Sequence, residues 1–98
     1  MRTLYPMLAA LPLLAGNVAF AADAPPPGAA ACSGCHPATR SAQTAVPRLV
    51  GRDAAQVVSA MAAFRTGQRP STVMDRIAKG FTEDEVKAIA AWYAGQKD

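Results

Sequence analysis

The chain has 98 residues, 51% of them hydrophobic and 17% charged, with a formal net charge of +3. That length bounds it to one small domain. The basic residues Arg40, Arg48, Arg52, Arg65, Arg69, Arg76, Lys79, Lys87 and Lys97 are dispersed, forming no run that could track a phosphate backbone, so they read as solvated surface and argue against a nucleic-acid partner.

Residues 1–21 read as a secretory signal peptide. Met1-Arg2 is a basic start, Leu4 to Leu14 is an apolar stretch interrupted by Pro6 and Pro12 and too short to span a bilayer, and Ala19-Phe20-Ala21 is an A-x-A cleavage site. Cleavage would leave a mature chain from Ala22 without a membrane span, exported to the periplasm. An uncleaved anchor is the alternative. Residues 22–27, with Pro25-Pro26-Pro27, have the composition of an extended linker. What remains is short enough that an apolar core alone supplies only about 3–5 kcal/mol, so a staple is expected.

A helix is expected from Gly28 through about Cys35, ending before Pro37 because proline disfavours helical geometry in the residue preceding it. It carries Cys32-Ser33-Gly34-Cys35-His36, which holds every cysteine and histidine of the chain. This is the C-x-x-C-H spacing of c-type haem attachment. Thiols about one helical turn apart can each add to a haem vinyl group, the adjacent imidazole can ligate the iron, and small intervening residues let the porphyrin lie against the backbone. A redox dithiol or disulfide is the alternative, but it lacks the βαβ setting that such motifs use, and a zinc site would need a fourth ligand where the chain has no other cysteine or histidine. One covalent haem c would be the staple.

Residues 37–52 read as loop, in which Pro47-Arg48-Leu49-Val50-Gly51 suits a segment packed along a haem edge. Asp53 can cap a helix whose Ala54, Val57, Val58, Met61 and Phe64 share one face, expected to be core, and Gly67 is a natural stop. Gln68 to Thr72 breaks helix before a short one within Val73 to Gly80. Thr82-Glu83-Asp84-Glu85 is a capping box for a last helix with Val86, Ile89, Ala90 and Tyr93 on its apolar face, flanked by Trp92. No period-2 pattern or internal repeat appears. The expectation is an all-α domain over residues 28–98, with three main helices and one or two short ones around the haem.

Two methionines lie beyond the signal. Met61 belongs to an apolar stripe and reads as flexible core filler, whereas Met74 follows a Pro-containing loop long enough to round the porphyrin and present sulfur to the other face. His36 and Met74 as axial ligands would raise the reduction potential and close the iron to other ligands, making a one-electron relay. A methionine packed nearby without bonding iron is the alternative.

These residues resemble the class I c-type cytochromes: C-x-x-C-H near the N-terminus, P-x-L-x-G at Pro47 to Gly51, and a downstream Met74. The resemblance covers residues 28 to 95 and implies the class I cytochrome c fold. It further implies that the Pro47 carbonyl accepts the His36 Nδ1 proton, and that the first and last helices cross with Trp92 as the aromatic residue, against small Gly28, Ala29 and Ala30. The segment from Phe64 to Phe81 is similar to the axial-methionine region of the cytochrome subunit of flavocytochrome c sulfide dehydrogenases, in a single-haem form; Pro37 departs from that pattern, where glycine is common after the haem histidine.

That narrower resemblance implies a chain that accepts electrons from an FAD-containing flavoprotein subunit during sulfide oxidation and performs no bond chemistry itself. Nothing in the sequence supplies a phosphate-binding loop, a Ser/His/Asp set or a spare cysteine. The alternatives are a free-standing soluble cytochrome c shuttling between respiratory or photosynthetic complexes and, from another class, a ligand-binding or sensor haem with an open sixth position.

Overall fold

The computed structural model describes residues 24–39 and 43–97. The expected signal over 1–21 lies outside the described residues, as do Ala22 and Asp23 of the expected linker. Among the described residues there are four helices and no strand: α1 (Ala29–Cys32), α2 (Ala54–Thr66), α3 (Met74–Ala78) and α4 (Glu83–Ala94). The architecture is the expected all-α one, with two long and two short helices.

The first helix is a single turn, shorter than the expected run to Cys35. Gly28 at its N-cap has φ +87° and offers no capping side chain. Past Cys32 the chain continues as turns, with the Cys35 and His36 amides both donating to the Cys32 carbonyl at 3.2 and 2.9 Å. Gly34 and the restriction imposed by Pro37 keep this segment from propagating as helix.

The boundaries of α2 and α4 follow the sequence signals. Asp53 Oδ1 accepts from the Ala55 and Gln56 amides at 2.8 and 3.2 Å, satisfying first-turn donors that have no intrahelical partner. Gly67 closes the helix in the left-handed region at φ +76°, a conformation glycine adopts without a Cβ penalty. On α4, Thr82 and Glu85 form the reciprocal capping box, with distances of 3.1 and 2.9 Å.

The core lies where α1 meets α4. Ala29, Ile89 and Tyr93 form its buried cluster, and Cys32, Leu49, Val50, Phe81 and Trp92 pack around it. The ring that closes the crossing is Tyr93, 4% exposed, rather than the expected Trp92. Tyr93 continues the Val86, Ile89 and Ala90 face at helical spacing, whereas Trp92 sits to one side, edge-on to the Tyr93 ring with centroids 4.8 Å apart. Small residues admit this approach as the sequence suggested: a Cβ on Gly28 would lie 2.6 Å from Phe81 Cε1 and 3.4 Å from Ile89 Cδ1.

The α2 stripe differs from its expected role as core. Ala54, Val57, Val58, Met61 and Phe64 are each half-buried, and α2 has no fully buried residue, although it packs against both α3 and α4. No helix among the described residues is long and apolar enough to cross a membrane.

Candidate functional site

Cys32 ends α1 and Cys35 follows three residues later in the turns; both thiols are free. Cys35 is exposed, while Cys32 is half-buried against the core. Burial pushes the Cys32 thiol up from its ordinary value, with a backbone hydrogen bond opposing the shift.

His36 is held by the loop that follows. Its Nδ1 lies 2.6 Å from the Pro47 carbonyl oxygen. A carbonyl only accepts, so Nδ1 donates a proton to it, and Nε2 is the ring nitrogen left to face a metal. The carbonyl is itself anchored, because Leu49 and Val50 pack on the Ala29, Ile89 and Tyr93 cluster and the Gly51 amide donates to the Tyr93 carbonyl at 3.0 Å. This is the contact that the class I resemblance implied, and it is the kind of partner that fixes the tautomer of ligating histidines.

A second anchor was not foreseen. Tyr93 OH donates to the Ala29 carbonyl at 2.5 Å and lies 2.7 Å from Ser33 Oγ, which must then donate to it. The residue between the two cysteines is thereby tied to α4. No local signal in the sequence joins Ser33 to a tyrosine 60 positions away.

Met74 opens α3, half-buried and outside the cluster that holds Cys32. Met61 is half-buried as well, so burial alone does not rank the two sulfurs. Position separates them: Met61 lies inside α2, and Met74 stands at a helix start beside Val73 and Ile77, which are 48% and 38% exposed. Arg65 departs from its reading as solvated surface. It is half-buried, with Nη2 donating to the Ala78 carbonyl at 3.2 Å and to the Phe81 carbonyl. Its place one turn after Met61, on the face of the α2 stripe, was the sequence signal for that burial, though not for its carbonyl partners.

The donor set fits a c-type haem. It comprises two free thiols at the required spacing, an imidazole whose tautomer frees Nε2, a thioether, and apolar side chains on α2 and α3 that their own helices leave partly uncovered. The Trp92 Nε1 hydrogen is buried without a partner, leaving a donor available to a polar group. Among the described residues no group of three or more His, Cys, Asp or Glu could hold a metal ion.

No protein-family model matches the chain. Curated relatives do. The cytochrome subunit of sulfide dehydrogenase from Chlorobaculum tepidum is 36% identical over 62 residues, 63% of this chain and 56% of that protein. The thiosulfate dehydrogenase electron acceptor of Stutzerimonas stutzeri is 36% identical over 73 residues, 68% of this chain and 34% of the relative. Cytochrome c-552 of Acidithiobacillus ferridurans is 32% identical over 62 residues, 63% and 27% of the two chains. The matched stretch thus spans about half or less of each relative's length.

Proposed function

We propose that this homologue of c-type cytochromes is a periplasmic electron-transfer protein in which Cys32 and Cys35 hold one haem covalently, with His36 and Met74 as the axial ligands of its iron. The observation that carries the reading is the His36 Nδ1 to Pro47 hydrogen bond beside two free thiols. Covalent haem, when bound, supplies reversible one-electron exchange. The chain's part is positioning: Pro47 fixes the imidazole, Tyr93 holds the attachment segment through Ser33 and Ala29, and α3 presents the thioether. Residues 1–21 act as the export signal, and residues 22–27 link the mature N-terminus to the domain.

Within that role, the electrons come from an FAD-containing sulfide dehydrogenase subunit. Support comes from the relative named as the cytochrome subunit of sulfide dehydrogenase and from the segment from Phe64 to Phe81. The exposed Val73 and Ile77 beside Met74 give this docking an apolar face, so moderate salt should weaken it only slightly. A free-standing acceptor is the second reading, favoured by the relative named as an electron acceptor for thiosulfate dehydrogenase.

The test begins with expression alongside a cytochrome c maturation system. After denaturation and acidic organic extraction the colour should remain on the polypeptide; extractable haem ends the covalent reading. Oxidised holoprotein is then mixed anaerobically with the flavoprotein and sulfide. Haem reduction faster than with sulfide alone supports the flavoprotein partner, and an equal rate with no complex on gel filtration favours the free-standing acceptor.

A further inference from the structure

The five residues of α3 are too few to form a stable helix by themselves, yet α3 carries the proposed sulfur ligand at its first position. Side chains outside α3 grip both of its ends. At the start, Ser71 Oγ accepts from the Asp75 amide at 2.9 Å and lies 3.2 Å from Asp75 Oδ1. At the finish, Arg65 reaches across from the last turn of α2 and donates to the carbonyls of Ala78 and Phe81. Ala78 is 1% exposed, so water has little access to replace the guanidinium there. Carbonyls at a helix C-terminus carry partial negative charge and lack intrahelical donors, and a guanidinium supplies both charge and several directed hydrogens.

We propose that Arg65 is the positioning residue for the Met74 thioether: by fixing the C-terminal end of α3 to α2 it keeps the sulfur on the iron and other ligands off. This rests on the reading of Met74 as axial ligand. The Met-off population is what an added ligand competes for, so its apparent affinity rises in proportion to that population. A side chain that only stabilised the fold would shift the unfolding midpoint without changing that proportion.

The experiment titrates ferric holoprotein with imidazole and records the sulfur-to-iron near-infrared band and the unfolding midpoint. Arg65→Met keeps an apolar stem and removes every donor, and should raise the apparent imidazole affinity tenfold or more, equivalent to about 1.4 kcal/mol. Arg65→Lys, which keeps the charge but loses the planar, pre-organised fork, should raise it by about threefold. Arg76→Met removes the same charge from exposed α3 surface and should change it less than twofold.

Unchanged imidazole affinity in Arg65→Met, with or without a lower midpoint, overturns the proposal. If that variant yields no holoprotein, an unchanged affinity in Arg65→Lys overturns it equally, as does an Arg76→Met effect as large as that of Arg65→Met. Failure of the underlying ligand reading looks different: the wild-type band would be absent, or would survive in Met74→Leu.

Discussion

The crossing of α1 and α4 and the pairing of α2 with α3 are built on different terms. At the crossing, Ala29 is 0% exposed, Ile89 7% and Tyr93 4%, and the buried phenol finds a carbonyl and a hydroxyl. In α2 no residue of a stripe with helical spacing is fully buried, and next to α3 Val73 and Ile77 stand open. The first region is complete as protein against protein. The second has the apolar faces but depends, under the proposed function, on the prosthetic group to cover them. On that reading the chain folds one half for rigidity and leaves the other to be finished by the cofactor.

The largest expected effect breaks that comparison at its root. Replacing both thiols, Cys32→Ser with Cys35→Ser, prevents covalent attachment and should abolish cooperative thermal unfolding by far-ultraviolet circular dichroism. With so short a chain the apolar core contributes only about 3–5 kcal/mol before the staple is counted. A double variant that unfolds cooperatively at the wild-type midpoint would show that the α2 and α3 half needs no cofactor.

Gly28→Ala attacks the complete half. The new Cβ would meet Phe81 at 2.6 Å at a backbone φ of +87°, combining the left-handed penalty of an L side chain with overpacking. A loss of about 2 kcal/mol or more is expected from denaturant unfolding of the holoprotein, with the haem absorption bands unchanged. Met61→Leu, a volume-conserving change in the half-buried stripe, should cost less than about 1.5 kcal/mol. A reversed order of the two would place the tighter packing in α2.

Which parts of this were legible in the sequence follows from the range of the interactions. Asp53, Gly67 and the Thr82 to Glu85 box are local signals, acting within a few residues of themselves, and the helix ends fall where they predict. The C-x-x-C-H pentapeptide is likewise local. Tyr93 against Trp92 was misassigned because both neighbours are aromatic, and only the register of the α4 face against Ala29 decides between them. Arg65 and Ser33 were opaque for a stronger reason: their partners are backbone carbonyls and a phenol 13 to 60 positions away, and a carbonyl leaves no trace in side-chain pattern. The His36 to Pro47 contact, equally non-local, was reached through family resemblance alone.

Tyr93→Phe sharpens the comparison on the complete side. The ring stays, so packing is kept, while the Ala29 carbonyl loses its phenol donor and Ser33 its acceptor. Leaving such a buried group unsatisfied costs about 1–3 kcal/mol. Ser33→Ala removes one of the two bonds, and a double-mutant cycle should give a coupling of about 0.5 kcal/mol or more. Additive effects would mean that the hydroxyl pair is not a working contact and that the crossing rests on its rings.

The smallest effect concerns the exposed start of α4, which belongs to neither packed region and so serves as a reference. The Thr82 backbone amide, and then its side chain, hold the Glu85 carboxyl below its ordinary value. A carboxylate whose folded pKa is depressed stabilises the fold fully above the unfolded value of about 4.3, and that contribution is lost as pH falls through the folded pKa. Glu85→Gln keeps an acceptor for the Thr82 amide but does not titrate. The stability difference between wild type and Glu85→Gln should therefore be largest near neutrality and shrink as pH falls below about 4.3. Because Glu85 is far out on the surface, this acid loss should be shallow and should leave the haem bands in place. A difference that stays constant with pH would show that the capping box is held by its hydrogen bonds irrespective of charge, and that acid sensitivity of the holoprotein has to be sought at the iron ligands instead.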